Sequence, residues 1–261
     1  MFSANRSGRA LHTSGNRKRV ARLAAAAAAF WLGAASAVAQ TKTAAGPLVH
    51  LKNIDPSIIQ EMRYATPHNF TGKVVKGYKT PACLLIEDAA RALANAQRAL
   101  AEKKLSLKVF DCYRPQMAVE EFIRWVDRGR DNPAYHPAIE RRSLIARGYI
   151  ASRSSHAKGI SVDLTVTTIP TAAHAVSSEM EREPCTTRPP PHGELDMGTA
   201  YDCFDAKSSA AGSGLSTAQL RNRKLLRDVM VANGFEPYGR EWWHFTFKTA
   251  KPPRTLNQVV E

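Results

Sequence analysis

Long apolar runs are scarce in this sequence of 261 residues. The longest, residues 23–35, is dominated by alanine and is shorter than the roughly 20 residues that a membrane-spanning helix needs. Six Lys or Arg and no acid precede it, and Ala37-Val38-Ala39 follows it. This layout predicts a secretory signal peptide over residues 1–39, no membrane span after its removal, and export to the periplasm. The arginines leave a twin-arginine or an organellar signal open as alternatives.

Cysteines are also few, and none of the four lies in a Cys-x-x-Cys pair. An exported protein meets an oxidising compartment, where Cys83, Cys112, Cys185 and Cys203 can form disulfides. Of the three connectivities we favour the one with a Cys185–Cys203 bond, because these residues flank a Pro-rich stretch and close a short loop. An alternative interpretation of Cys112 is a small buried hydrophobe.

A basic helix, or a run of lysines interleaved with aromatic residues, is missing as well, so we expect no nucleic-acid partner. The net charge is +14, but without the leader 31 Lys and Arg face 23 acids. This modest excess suits a protein that works near an anionic cell-wall polymer. Residues 40–261 are predicted to form a single domain, with a Pro-rich inserted loop at about residues 167–193.

Apolar periodicity predicts an alternation of helices and strands. Residues 87–104 repeat Ala and Leu at helical spacing, and residues 105–112 alternate as a strand does. A helix that opens at Pro115 and runs to about Asp127 would leave Arg114 at a strand-to-helix turn, where its side chain can project into a cleft. Further helices are predicted at residues 137–147 and 217–233, and further strands at residues 159–166 and 243–248.

Two segments carry the residue types of a metal site. His156 precedes Asp163 by seven residues, so in one unbroken strand the two would face opposite ways. Gly159 between them supplies a flexible point that can bring both to one side. The segment Glu241-Trp242-Trp243-His244 supplies a second imidazole, that of His244. Two imidazoles and one carboxylate occupy three coordination positions of a zinc ion and leave the fourth open for water, as a catalytic zinc needs. We predict one Zn²⁺ per chain, held by His156, Asp163 and His244.

Two further side chains have the chemistry of catalytic groups. Glu241, three residues before His244, is predicted to lie in the turn after Gly239 and to act on the metal-bound water as general base. Arg114 has two interpretations, an ion pair with a nearby acid or a fixed positive charge that stabilises the oxyanion of amide hydrolysis.

Four segments together resemble the D-alanyl-D-alanine dipeptidases, the vancomycin-resistance-type zinc peptidases related to zinc D,D-carboxypeptidases: SSHAKGISVDLTV, DCYRP, MGTAYDCFD and EWWHF. The likeness runs from about residue 51 to residue 253, and RYATPHNFTGKVVKGY and RGYIASRSSH add to it. It implies an α+β domain in which a small, largely antiparallel sheet carries the zinc site and helices pack around it. The leader and residues 167–193 fall outside the likeness.

The resemblance places the metal ligands and the two catalytic groups on the residues already named, and it implies six substrate contacts. Those near the amino end of the substrate are Asp202, Tyr64 and Tyr78, and those near its carboxylate end are Ser154, Ser155 and Tyr149. Because Ser, Tyr and Asp in turns often have capping roles, that alternative stays open for all six.

The activity implied is the zinc-dependent hydrolysis of the free dipeptide D-alanyl-D-alanine to two D-alanine. A D,D- or L,D-carboxypeptidase that trims peptidoglycan stem peptides is an alternative with the same metal site. A non-haem iron oxygenase also uses two histidines and one carboxylate, but it leaves Glu241 and Arg114 without a role. A non-catalytic wall-binding module is a third alternative, against which the intact ligands and Glu241 argue.

Overall fold

Two β-sheets and four α-helices make up the part of the chain that the computed structural model describes, residues 47–169 and 182–261. The strands are β1 (Leu48–His50), β2 (Ile59–Gln60), β3 (Leu84–Ile86), β4 (Leu105–Asp111), β5 (Ser161–Thr168), β6 (Phe235–Pro237) and β7 (His244–Phe247). The helices are α1 (Leu51–Ile54), α2 (Glu87–Ala101), α3 (Gln116–Arg128) and α4 (Thr217–Ala232). The described residues belong to one compact unit, residues 42–261, and the predicted signal peptide lies outside them.

The larger sheet has five strands in the order β2-β4-β5-β7-β6. Only β2 and β4 are parallel, and the other three pairs are antiparallel. A second sheet joins β1 to β3 in antiparallel register. The predicted α+β class, with a small and largely antiparallel sheet, is therefore confirmed. Within the described ranges, no helix is both long and apolar enough to cross a bilayer.

Strand β5 is buried on both of its faces. The predicted apolar face carries Val162, Leu164 and Val166 into the core, and all three are fully buried. The opposite, polar face is buried as well, and Asp163 on it is only 2% exposed. Since a carboxylate loses its hydration on burial, Asp163 needs partners of opposite charge or hydrogen-bond donors. The sheet thus delivers a polar group to an enclosed position beside β7.

The long helices follow the predicted pattern closely. Helix α2 ends three residues before the predicted boundary, and its apolar stripe packs against β4. Helix α3 begins directly after Pro115, so Arg114 does lie between β4 and α3. Helix α4 starts with a capping box in which the side chains of Ser216 and Gln219 each accept a hydrogen bond from the other's backbone N–H.

The helix predicted over residues 137–147 is wrong, because only one 3-10 turn forms there, Arg141–Ser143. The buried guanidinium of Arg141 donates to the carbonyls of Trp125 and Val126, near the end of α3, and to Asp131. Both carbonyls lie in the last turn of α3, where a helix leaves carbonyls short of partners, and the Trp125 carbonyl also accepts from the Gly129 N–H. This contact and the burial of Ile139 and Leu144 hold the segment without a helical repeat.

Strand β5 extends into the first residues of the predicted inserted loop, 167–193. Thr167 and Thr168 continue β5 and pair with Ser106 and Leu105 of β4. Thr167 also donates its hydroxyl hydrogen to the Gly193 carbonyl at 2.8 Å, which fixes the return of the chain. Residues 170–181 of the predicted loop lie outside the described residues.

All four cysteines are disulfide-bonded, as Cys83–Cys112 and Cys185–Cys203. The favoured Cys185–Cys203 pairing is confirmed. The interpretation of Cys112 as a free hydrophobe is wrong, although the residue is fully buried. The two bonds close loops of 29 and 18 residues.

We expect each disulfide to stabilise the fold by restricting the unfolded chain. Replacing both members of either pair by alanine should lower the free energy of unfolding by about 3 kcal/mol, the cost expected for loops of this size. Urea unfolding of the oxidised protein and the two variants measures this difference, and the reduced wild type serves as the control for loss of both bonds. Unchanged urea midpoints in both variants would contradict it.

Candidate metal centre and substrate cleft

Three potential ligand atoms meet where β5, β7 and the 3-10 helix Ser155–Lys158 come together. Asp163 and His244 are direct neighbours in the β5–β7 register, so their side chains share one face of the sheet. His156 lies on the 3-10 helix, and Gly159 ends that helix at φ 66°. An L side chain rarely adopts this φ, and a Cβ at position 159 would lie 2.3 Å from Leu48 Cδ2. Gly159 therefore makes the turn that brings His156 beside Asp163.

The distances within this cluster are short. His156 Nε2 lies 3.1 Å from His244 Nδ1 and 3.2 Å from Asp163 Oδ1, and His244 Nδ1 lies 3.0 Å from the same oxygen. Among the described residues this trio is the group of His, Cys, Asp or Glu side chains that could hold a metal ion. The three sequence-predicted ligands are thus brought together.

The donor set fits a metal ion. His156 Nδ1 lies 2.6 Å from the Cys112 carbonyl, which can only accept, so Nδ1 carries the proton and Nε2 presents a lone pair to the cluster. Burial lowers the pKa of His244 against the pull of Asp163, which favours the neutral imidazole that a metal requires. Burial alone would raise the pKa of Asp163, but His156 and His244 outweigh it and hold that pKa below its ordinary range. Imidazoles bind a metal in their neutral form, so two of them with one carboxylate would make a three-ligand set with a net charge of about −1.

Arg114 is held rigidly next to this cluster. Its Nε and Nη2 lie 2.8 and 2.7 Å from Asp111 Oδ2, and Nη2 lies 3.4 Å from Asp163 Oδ2. Tyr78 donates to the other oxygen of Asp111 at 2.7 Å. Arg114 therefore forms the ion pair with a nearby acid that one interpretation predicts, and it also lines the cleft. Burial lowers the pKa of Arg114, but Asp111 and the neighbouring groups raise it overall, so the guanidinium keeps its charge.

Glu241 lies in the connection between β6 and β7, two residues after Gly239, as predicted. It is 9% exposed and lines the cleft that contains the metal cluster. Burial raises the pKa of Glu241 well above its ordinary value, and Asp163 and Asp202 raise it further. A carboxyl group whose pKa is raised in this way is a stronger base when ionised, which suits proton transfer near neutral pH.

Asp202 is a further carboxylate that lines the cleft, and it accepts hydrogen bonds from Tyr64. The Tyr64 hydroxyl lies 3.0 and 3.2 Å from the two carboxylate oxygens of Asp202. Burial, followed by the charge of Asp163, raises the pKa of Asp202 to about 8, while Arg114 opposes this shift. A cationic group bound at Asp202 would restore its charge, so the site is suited to an ammonium.

The other implied substrate contacts divide into two groups. Ser154, Ser155 and Tyr149 line the cleft, which has a volume of about 440 Å³. Ser154 caps the backbone N–H of His156, and Ser155 accepts a hydrogen bond from Ser161. Tyr78 is not among the residues that line the cleft, and its hydroxyl bonds to Asp111 instead.

Sequence reasoning missed three residues that support the cluster. Asp111, the last residue of β4, forms an ion pair with Arg114. The spacing of three residues between the two is the signal that could have identified Asp111 as the partner. Thr246 lies 3.3 Å from His244 Nε2, on the same face of β7 two residues later. Tyr201 contacts Asp163 Oδ2 at 3.2 Å, and no spacing in the sequence points to this contact.

Comparison with known proteins gives one consistent result. A family model described as D-ala-D-ala dipeptidase matches residues 44–175 and 172–260. A D-alanyl-D-alanine dipeptidase from Enterococcus faecalis is 37% identical over 189 residues, which covers 71% of this chain and 83% of the relative. Proteins of the same name from Streptomyces coelicolor and Escherichia coli are 33% and 31% identical, over 80% and 78% of this chain and 96% and 86% of their own lengths.

Proposed function

Because this chain belongs to the D-Ala-D-Ala dipeptidase family of peptidases and is thus a metallopeptidase, we propose that it hydrolyses the dipeptide D-alanyl-D-alanine to two D-alanine. The observation that carries the proposal is one cleft whose walls hold the three-ligand cluster, Glu241, Arg114 and the buried Asp202. Each of these groups has a task in the hydrolysis of a small peptide with a free amino end.

The metal we propose is zinc, held by His156, Asp163 and His244. Two imidazoles and a carboxylate are a common ligand set of catalytic zinc in peptidases. Bound there, zinc would supply Lewis acidity toward the scissile carbonyl and toward water. The hydrogen bond from His156 Nδ1 to the Cys112 carbonyl fixes the tautomer and the ring orientation that such a ligand needs.

Glu241 is the proposed proton carrier. Its carboxylate takes a proton from the attacking water and returns it to the leaving amine, so that neither a hydroxide nor an anionic amine has to form in solution. Its burial raises the affinity for that proton. Among the described residues, no other carboxylate that lines the cleft is both buried and unassigned, since Asp163 belongs to the metal cluster and Asp202 bonds to Tyr64.

Arg114 is the proposed oxyanion stabiliser. As the carbonyl carbon becomes tetrahedral, its oxygen gains negative charge, and a guanidinium already in place stabilises that charge without reorganising. Arg114 donates to the Asp111 carboxylate, which fixes the guanidinium, and the Tyr78 hydroxyl donates to the other oxygen of Asp111 and fixes that carboxylate. We therefore assign Tyr78 a positioning role and not a substrate contact.

The substrate's ends are proposed to bind apart from these catalytic groups. Asp202, supported by Tyr64, receives the ammonium group, for which a buried carboxylate is the natural partner. Ser154, Ser155 and Tyr149 are the candidates for the carboxylate end, because all three offer hydroxyl groups along the same cleft.

We expect the purified protein to carry about one zinc ion per chain, and His156→Ala and His244→Ala each to lose most of it, because two remaining ligands bind zinc weakly. Elemental analysis after exhaustive dialysis measures the occupancy. His50→Ala, which alters an exposed histidine at the end of β1, is the matched control and should keep its metal. Full zinc occupancy in both ligand variants would refute the ligand assignment, and iron in the wild type would refute zinc as the metal.

We also propose that the chain is exported and works in the periplasm. The leader layout and the two disulfides support this, since disulfides persist mainly in oxidising compartments. Fractionation of cells, with mass spectrometry of the mature amino terminus, would test it. A protein that stays in the cytoplasm with residues 1–39 attached would count against export.

A further inference from the structure

Tyr201 lies between the metal cluster and the proposed ammonium site. Its hydroxyl oxygen is 3.2 Å from Asp163 Oδ2 and 3.2 Å from the hydroxyl of Tyr64, which in turn bonds to Asp202. Tyr201 is 6% exposed, so these contacts lie mostly out of bulk water. A short line of hydrogen-bonding groups therefore runs from a metal ligand to Asp202.

The backbone conformation explains how two consecutive residues, Tyr201 and Asp202, both take part in this line of hydrogen-bonding groups. Asp202 has φ 59°, one of two positive values among the non-glycine residues that the structure describes. In an extended chain the side chains of residues 201 and 202 would point to opposite sides, whereas the left-handed turn lets both point into the same interior. Aspartate is among the residues that tolerate this conformation best.

The two oxygens of Asp163 have different partners. Oδ1 faces the imidazoles of His156 and His244, at 3.2 and 3.0 Å. Oδ2 faces away from them, toward Tyr201 and, at 3.4 Å, Arg114. Contacts on Oδ2 thus oppose rotation of the carboxylate and keep Oδ1 directed at the imidazole nitrogens.

Tyr201 is suited to donate to Asp163. The Tyr64 hydroxyl is directed at Asp202, to which it donates its one proton, so toward Tyr201 it offers only lone pairs. The one proton of Tyr201 then has two acceptors, a neutral hydroxyl and a carboxylate, and hydrogen bonds to charged acceptors are the stronger ones.

We propose that Tyr201 is a positioning residue for the metal centre: its hydroxyl fixes the Asp163 carboxylate in the orientation that presents Oδ1 to the ion, and it links this ligand to the Tyr64–Asp202 pair. Partners of this kind commonly change metal affinity or activity by about 10- to 100-fold. The inference rests on the metal site of the proposed function but not on its substrate.

The test is the zinc affinity of the metal-free protein, measured by competition with a chromophoric chelator. Tyr201→Phe removes only the hydroxyl, because phenylalanine keeps the stack on Phe110 at 4.6 Å and the edge contact with Trp243 at 5.6 Å. We expect its dissociation constant for zinc to rise about 10-fold. Circular dichroism of the metal-free protein sets a temperature at which every variant is folded.

Two tyrosine variants control for loss of a buried hydroxyl. Tyr113→Phe removes a hydroxyl that bonds to the Gln258 carbonyl, outside the cluster, and should leave zinc affinity unchanged. Tyr64→Phe breaks the line one group further from Asp163 and should weaken zinc binding less than Tyr201→Phe does.

Two outcomes would overturn the proposal. One is a Tyr201→Phe protein that binds zinc as tightly as Tyr113→Phe does. The other is a loss of affinity in Tyr64→Phe as large as that in Tyr201→Phe, which would point to general disturbance of the aromatic cluster. Failure of the wild type to cleave D-alanyl-D-alanine would refute the proposed function and leave the zinc measurement unaffected.

Discussion

Glu241→Gln should retain its zinc and its fold while kcat for D-alanyl-D-alanine falls by about 100-fold or more, the scale of a lost general base. Glutamine has nearly the same shape as glutamate but cannot take a proton from water at neutral pH. Since Glu241 is not among the three clustered ligand atoms, metal content should not change. Initial rates of D-alanine release at saturating dipeptide, with elemental analysis of the same samples, measure both quantities.

A control with the same change in charge is Glu87→Gln. Glu87 is exposed in the first turn of α2 and pairs with Arg91 at 2.6 Å, away from the cleft, so its kcat should stay at the wild-type value. A metal-replete Glu241→Gln protein with near wild-type kcat would remove Glu241 from the mechanism. Loss of zinc from this variant would instead make Glu241 a ligand.

The parts of the fold that local patterns determine could be predicted from the sequence. Helix α2 and strand β4 have long, regular apolar periods, and α4 has a capping serine and a glycine at its end. The short strands β1, β2 and β6 could not be predicted, because two or three residues carry no period and their pairing depends on distant segments. The helix prediction for residues 137–147 failed for a related reason, because this segment depends on contacts with distant residues, such as that of Arg141 with α3.

The site divides in the same way. The convergence of His156 and Asp163 was predictable because a glycine stands between them and glycine adopts the turn at φ 66° most readily. The role of Tyr201 was not predictable, because it depends on a left-handed turn at Asp202, a residue type that adopts many conformations. The family resemblance implies a substrate contact for Tyr78, and no pattern in the sequence indicates the hydrogen bond that its hydroxyl donates to Asp111. Patterns in a sequence thus indicate which groups do chemistry more readily than which groups hold them in place.

The decision between a dipeptidase and a carboxypeptidase depends on Asp202. A dipeptide carries its ammonium group one residue from the scissile bond, whereas a stem peptide has an amide there. Asp202 is 4% exposed, and its hydrogen-bond donor is the Tyr64 hydroxyl. Of the charged groups near it, Asp163 repels its negative charge and Arg114 attracts it. An amide brings no cation to this buried site. Asp202 then either keeps a charge without a direct cationic partner or stays protonated, because its pKa is raised to about 8, and loses the ion pair that an ammonium would make. Both outcomes disfavour a long or acetylated substrate.

Asp202→Asn should therefore lower kcat/KM for D-alanyl-D-alanine by about 100-fold or more, because losing one partner of a buried charge pair costs about 2 to 5 kcal/mol. Asparagine keeps the acceptor for Tyr64 and tolerates φ 59°, so fold and zinc content should be retained. The variant should also narrow the difference in kcat/KM between the free and the N-acetylated dipeptide.

The matched control is Asp205→Asn, three residues later. Asparagine replaces aspartate well as the cap of the turn at Ala206–Ser208, so this variant should behave as the wild type does. Measuring both substrates with all three proteins separates the functions: a wild type that cleaves N-acetyl-D-alanyl-D-alanine as fast as the free dipeptide is a carboxypeptidase, and one that rejects it through Asp202 is a dipeptidase.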